Sequence, residues 1–299
     1  MERIYADDSV CITTQKKLVR YKLDKNSIEE YKFESQQEKI SCGSLVTTIE
    51  GKIGGVAGQE NGNLWYWKRP NKTPEELTNY KAEIISIKGL NHYTLIATAG
   101  KKFYIWEIPN ACIQSVDLST LELKLISSNT LMMDVRGNEV LIITEKDLIR
   151  ATIDKGRINT LERLNKIISF SGKRQTAMHT TKNKAIAIAN DSGAILVIDT
   201  STNEMHSILQ IREIITCLDF NEKRLLAIGT IKGNVYVNNE ETNCILLESF
   251  KSGVVDIKIS PNGNYIVVLL EDHNCVLFQE REQLFEKICQ RKLFVCYKE

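Results

Sequence analysis

Three kinds of residue in this 299-residue chain could do catalytic chemistry, and the spacing of each argues against it. Paired carboxylates serve as general acid and base only where a shared cleft pushes their acidities apart. The pairs here are Asp7-Asp8, Glu29-Glu30 and Glu271-Asp272. The last falls in an expected hairpin turn, and all three read as solvated. The four histidines, His92, His179, His206 and His273, are scattered along the chain. His92 lies between Asn91 and Tyr93 in a polar loop, and His273 lies in a turn. None of the eight cysteines forms a CxxC pair, so zinc-site spacing is missing. Cys217 and Cys275 sit inside apolar runs, where a reduced thiol acts as a small hydrophobe. The stretch Gly51-Lys52-Ile53-Gly54-Gly55-Val56-Ala57-Gly58 is glycine-rich. It has no terminal Lys-Ser/Thr and no helix pattern behind it, so it lacks the parts that cradle a phosphate. With no nucleophile-elbow or zincin motif either, the reading is of a protein without catalytic residues, metal or cofactor.

The remaining chemistry is recognition. Trp65, Tyr66 and Trp67, with Tyr104 and Trp106, form an aromatic group, and Trp and Tyr dominate interface hot spots. Strand alternation puts Trp65 and Trp67 on one face and Tyr66 on the other, which also suits a core between packed sheets. Lys68, Arg69 and Lys72 follow this strand, and Lys101 and Lys102 precede the one that carries Tyr104. Together they would make a modest basic rim for an acidic protein or an RNA phosphate. Trp65, Trp67, Lys68, Arg69, Lys101 and Lys102 are therefore the residues expected to meet a partner. A net charge of +1 supplies no global field for nucleic acid or an anionic membrane. Protein partners are expected, with nucleic acid reached only through a partner complex and no small-molecule substrate.

These residues need elements to hold them, and the elements repeat. A polar turn followed by a short β-rich run occurs seven times, the runs starting at Leu18, Leu64, Phe103, Leu148, Ile195, Val235 and Cys275. Each is preceded by an apolar run, and the turns are rich in Gly, Asn and Asp, which tolerate the left-handed backbone of a tight hairpin. The unit is clearest from Arg212 to Gln279, where it is written twice. A repeat of this length built from strands and turns predicts an all-β β-propeller of about seven four-stranded blades, with six to eight allowed. One domain over 1–299 is expected, its blades near 3–33, 41–69, 84–108, 123–153, 167–208, 212–249 and 253–297. Pro70 to Pro74 and Pro109-Asn110 read as exits from the sheets, Glu280 to Arg291 as a short amphipathic helix, and Lys292 to Tyr297 as one more strand, the outer strand of blade seven or a partner of blade one. Ring closure would bring the two ends of the chain together.

The repeats resemble a degenerate WD-repeat propeller. Trp106-Glu107 and Trp67-Lys68 stand where that family ends its third strand in Trp-Asp, and Ile198-Asp199 keeps only the acid. Ser260-Pro261-Asn262-Gly263 is similar to the Ser-Pro-Asp-Gly that follows the family's inner strand. No Gly-His dipeptide precedes an inner strand, so the family's His, Ser/Thr, Asp, Trp network cannot be assembled. The resemblance implies a non-catalytic scaffold that holds proteins together in an intracellular complex. Two narrower resemblances imply alternatives. Val56 to Asn63 and the last two blades are similar to the endoplasmic-reticulum exchange factor for the small GTPase of outbound vesicle coats. Met132-Met133-Asp134-Val135, Ile142-Ile143-Thr144, Asp147, Ile149 and Arg150 are similar to a blade of the non-catalytic subunit of tRNA guanine-N7 methyltransferase. No apolar run is long enough to cross a bilayer as a helix, and the first eight residues lack a signal peptide's apolar core. A cytoplasmic or nuclear location is expected.

Overall fold

The computed structural model describes residues 9–14, 16–23, 25, 27–33, 39–48, 50–90, 93–98, 102–117, 130–136, 139–144, 148–163, 176–179, 185–190, 192–199, 204–221, 225–238, 244–260, 262–281 and 284–292. Among these residues there is no helix, and the strands form seven antiparallel sheets, each a meander in chain order. They are the blades of a β-propeller. Sheet one shows β1 (Ser9–Thr13), β2 (Lys17–Lys22) and β3 (Ser27–Lys32); the other six show four strands each. Sheet two holds β4 (Ile40–Thr47), β5 (Ile53–Gln59), β6 (Asn63–Trp67) and β7 (Glu75–Asn79). Sheet three holds β8 (Ile84–Leu90), β9 (Tyr93–Thr98), β10 (Lys102–Glu107) and β11 (Ala111–Asp117). Sheet four holds β12 (Thr130–Arg136), β13 (Glu139–Thr144), β14 (Leu148–Asp154) and β15 (Arg157–Arg163). Sheet five holds β16 (Thr176–His179), β17 (Ala185–Ala189), β18 (Ala194–Asp199) and β19 (Glu204–Gln210). Sheet six holds β20 (Ile215–Phe220), β21 (Leu226–Thr230), β22 (Asn234–Asn238) and β23 (Ile245–Ser249). Sheet seven holds β24 (Val254–Ile259), β25 (Tyr265–Leu270), β26 (Asn274–Arg281) and β27 (Leu284–Lys292).

The chain divides near residue 168 into two compact units, sheets one to four in the first and five to seven in the second. In the first unit, Leu18 and Tyr31 of sheet one lie against Gly43 and Gly55 of sheet two. Val56, Leu64 and Tyr66 of sheet two then pack on Ile84, Ile87 and Trp106 of sheet three. In the second unit, Ala187 and Ile195 of sheet five pack with Leu218 and Ile228 of sheet six. The opposite side of sheet six, through Ala227 and Val235, packs on Ile257 and Val268 of sheet seven. Sheets two and six are therefore apolar on both sides. That explains the run Leu-Ala-Ile-Gly of β21, which does not alternate with polar residues.

Two junctions between sheets are built alike. The inner strands β4 and β20 each carry a β-bulge one residue after their start, at Ser41 and Thr216. A bulge turns its side chain out of the local ladder. The Ser41 hydroxyl shares its proton between Gly58 O (3.1 Å) and Ile84 O (2.5 Å), the latter on the next sheet. Thr216 does the same with Gly229 O (3.2 Å) and Val254 O (2.5 Å). Glycine at 58 and 229 lets the sheets approach: a Cβ at Gly58 would sit 2.5 Å from Ile84 Cγ2, and one at Gly229 2.4 Å from Val254 Cγ1. Fully buried Asp219 adds a bond across the same junction, accepting from the Ile259 amide at 2.6 Å.

A second device repeats at the hairpin turns. Gly62, Gly193 and Gly233 adopt φ of 90°, 83° and 87°. Their carbonyls accept the amides of Tyr80, Ile211 and Phe250, where the outer strand leaves the sheet. His273 (φ 66°) takes the glycine's place in sheet seven, its amide bonded to Leu270 O as that of Gly233 is to Thr230 O.

Three sequence expectations change. Sheet two continues past Pro74 into β7, and sheet three past Asn110 into β11. Both are outer strands; β7 carries mostly polar residues, which hid it. The stretch Glu280 to Arg291 is not a helix: it ends β26 and forms most of β27, where pairing satisfies its backbone. Phe285 packs on the core, while Leu284 and Ile288 remain 70% and 41% exposed. Both ends of the chain, 1–8 and 293–299, lie outside the described residues.

Gly58→Ala and Gly229→Ala should each destabilise the protein by about 1–3 kcal/mol, because the added methyl meets the next sheet's inner strand. Urea unfolding checks this; midpoints equal to wild type would mean that the sheets are not held this closely.

Candidate protein-interaction surface

The aromatic group divides between two sheet faces. Trp67 is fully buried; its ring meets Phe33 edge-on at 4.7 Å, and its indole N–H donates to Lys32 O at 3.2 Å. Trp65, on the same face, is half-buried, 5.3 Å from Phe33, and donates to Gln59 Oε1 at 2.7 Å. Tyr66 faces sheet three, where Tyr80 stacks on Tyr104 at 4.1 Å and accepts the Trp106 indole N–H. Burial pushes the Tyr80 hydroxyl's pKa upward. Trp67 and Tyr66 thus serve the core, and Trp65 is the tryptophan of the pair that reaches solvent.

The basic residues separate as well. In a meander, the β4–β5 turn and the β6–β7 connection lie at one end of sheet two, and the β5–β6 turn at the other. Exposed Lys68, Arg69 and Lys72 belong to the first end, with Lys52. Lys52 pairs with Glu50 at 2.5 Å, and this bond, with Lys68 adding to it, holds the Glu50 carboxyl below the usual range. Residues 80–83 join β7 to β8, and Tyr80 is bonded to Gly62 of the β5–β6 turn. Lys102, at the start of β10, therefore stands at the opposite end from Lys68 and Arg69. The structure does not gather the five described residues of the expected six into one patch, and Lys101 lies outside the described residues.

Of the candidate acid pairs, Asp7-Asp8 also lies outside the described residues. Glu29 and Glu30 are neighbours on β3 and so point to opposite faces. Contrary to the solvated reading, each is engaged by cations of β2: Glu29 by Arg20 (3.0 Å) and Lys22 (2.5 Å), Glu30 by Lys17. Asp272 is exposed and accepts the Asn274 amide within its turn. Burial pushes the thiols of Cys217 and Cys275 up to about 12, which leaves them as protonated apolar groups. Among the described residues no three His, Cys, Asp or Glu side chains are grouped to hold a metal.

The residue that sequence reasoning missed is Glu213, just before β20. Its carboxylate accepts the hydroxyls of Thr230 (2.8 Å) and Tyr236 (3.0 Å) and the Asn234 amide group (2.8 Å). Burial alone would raise its pKa, but these three donors and Lys232 lower it. One carboxylate thus ties the start of the inner strand to the β21–β22 hairpin. The signal was present: an acid stands just before the inner-strand run, with Thr230, Asn234 and Tyr236 in the hairpin that follows. The same end of the second unit exposes Ile214, Ile231 and Val255.

Comparison of the sequence with protein-family models and with curated proteins finds no match. Among solved structures, the chain is similar to one from the crystal structure of the mitotic checkpoint complex. The TM-score is 0.68 at 10% identity, covering 92% of this chain and 85% of that one. At that identity the likeness establishes the fold. No helix among the described residues is long and apolar enough to cross a membrane.

Trp67→Ala should cost about 3–5 kcal/mol in urea unfolding, whereas Lys68→Ala and Arg69→Ala should stay within about 0.5 kcal/mol of wild type. Glu213→Gln should also destabilise, by about 1–3 kcal/mol near neutral pH. Because the folded pKa is lowered, Glu213 stabilises the protein above its unfolded pKa, and that contribution is lost as pH falls through the folded value. The gap between wild type and Glu213→Gln should therefore close in melts below about pH 4; a gap constant with pH would contradict the network.

Proposed function

We propose that this chain is a non-catalytic, WD-repeat-like scaffold that holds one or more proteins in an intracellular complex. The observation that carries the reading is how its reactive groups are used. Glu213 and Asp219 are hydrogen-bonded within or between sheets, and Cys217 and Cys275 are buried as apolar groups. What the sheet ends offer outward includes cations and aliphatic side chains. Lys52, Lys68, Arg69 and Lys72 stand at one end of sheet two, and Ile214, Ile231 and Val255 are exposed in the second unit. That is the chemistry of recognition. The likeness to a chain of the mitotic checkpoint complex agrees with assembly as a role, although a fold hosts many functions. Trp65, Lys68 and Arg69 remain the partner-facing residues proposed on sheet two, with any nucleic acid reached through a partner.

Affinity purification of the chain from its own cells, with mass spectrometry, tests this. A stable set of co-purifying proteins is expected. Vesicle-coat components would identify the exchange-factor reading and a methyltransferase the tRNA-modification reading. A lone monomer with hydrolase activity would overturn the proposal.

A further inference from the structure

The chain contains two Ser/Thr-Pro dipeptides, Thr73-Pro74 and Ser260-Pro261, and the fold treats their hydroxyls oppositely. Ser260 is fully buried. Its Oγ donates to Asn262 Oδ1 at 2.6 Å and accepts the Tyr265 amide at 2.9 Å, so it is used up in setting the β24–β25 turn. Thr73 is exposed, in the connection that joins β6 to β7. Asn71 and Lys72 before it are exposed, and so are Glu75 and Glu76 at the start of β7.

Pro74 acts on Thr73 in two ways. It has no amide hydrogen, and its ring steers the residue before it into extended backbone. A kinase that reads Thr-Pro uses both features: the hydroxyl arrives on extended chain, and the next residue brings no N–H to leave unpaired. The segment must also be able to leave the fold. Among the described residues β7 is an outer strand, paired with β6 on one side. The Asn71 amide donates to Glu30 O of sheet one at 3.0 Å, a backbone bond that the kinase would open.

The charges around Thr73 give the modification an effect. Residues 68–76 carry Lys68, Arg69 and Lys72 against Glu75 and Glu76, a net of +1. Lys52 and Glu50 on the β4–β5 turn pair with each other, as do Lys17 and Glu30 on sheet one. A phosphate, which carries about −2, reverses the sign of residues 68–76.

We propose that Thr73 is the acceptor of an ATP-dependent, proline-directed protein kinase, and that phosphate there weakens the contact of Lys68 and Arg69 with an acidic partner surface. In the transfer the Thr73 hydroxyl oxygen bonds to the γ-phosphorus of ATP. The bond from that phosphorus to ADP breaks, and the hydroxyl proton passes to the kinase's catalytic aspartate. The acceptor site stands by itself; its effect on binding rests on the scaffold reading.

The test incubates the full chain with ATP and a purified mitogen-activated protein kinase, followed by phosphopeptide mapping. Phosphate is expected on Thr73 and not on Ser260. Pro74→Ala keeps the hydroxyl and every charge, yet should slow incorporation by about tenfold or more. Thr73→Ala should lose it. Both variants should melt as wild type does, since neither side chain is buried. Phosphate on Ser260 instead, or none, would overturn the acceptor site. Equal rates for wild type and Pro74→Ala would overturn it too, by assigning Thr73 to a kinase that reads Glu76. For the effect, kinase-treated wild type and kinase-treated Thr73→Ala are compared in affinity purification. The phosphorylated chain should recover at least one partner about tenfold less well; equal recovery of every partner would overturn the effect. If untreated wild type recovers no partner, the scaffold reading fails and the effect with it, while phosphate mapped to Thr73 still upholds the acceptor site.

Discussion

Backbones can stack closely only where no side chain intervenes and where polar groups brought together find partners. In this protein that constraint is met where an inner strand faces the next sheet. Gly58 and Gly229 remove the Cβ that would strike Ile84 and Val254, and the bulged hydroxyls of Ser41 and Thr216 satisfy carbonyls on the adjoining strand. The same pair of features occurs once in each compact unit. The rest of each unit follows from it: sheets held this near bury both sides, and residues such as Trp67, Tyr66 and Phe278 become core.

This arrangement decides what polar chemistry the chain can offer. Carboxylates close to the stacked strands are taken up locally. Asp219 caps an amide of the neighbouring sheet, and Glu213 fastens a hairpin to the strand before it. Glu29 and Glu30, adjacent in sequence, are separated to opposite faces by strand geometry and neutralised by β2. Groups free to meet another molecule are left at turns and connections, where the fold constrains only the backbone. Residue type varies there, as with Ile231 at a position that is glutamate in the corresponding turns of sheets two and seven.

The repeat, the strands and the turns were legible in the sequence because each is a local property. Left-handed turn glycines and runs of β-branched residues leave their mark within a few positions, so Asn190 to Gly193 and Thr230 to Gly233 could be read directly. The polar outer strand β7 could not, since its stability comes from pairing with β6 and not from its own pattern. The amphipathic spacing of Leu284, Phe285 and Ile288 suits a helix in isolation, and only the free edge of β26 makes it a strand.

The candidate surface divides along the same line. The sequence by itself determined that the chain is a strand-and-turn repeat, that its reactive residues lack catalytic or metal-site spacing, and that aromatic and basic residues cluster near Trp65 to Arg69. Only the tertiary structure decided that Trp67 is core, that Lys102 and Lys68 stand at opposite ends, and that Ile214, Ile231 and Val255 are exposed. Contacts across sheets join residues some forty positions apart, and which of them touch depends on the register and stacking of whole strands, which no short stretch of sequence encodes.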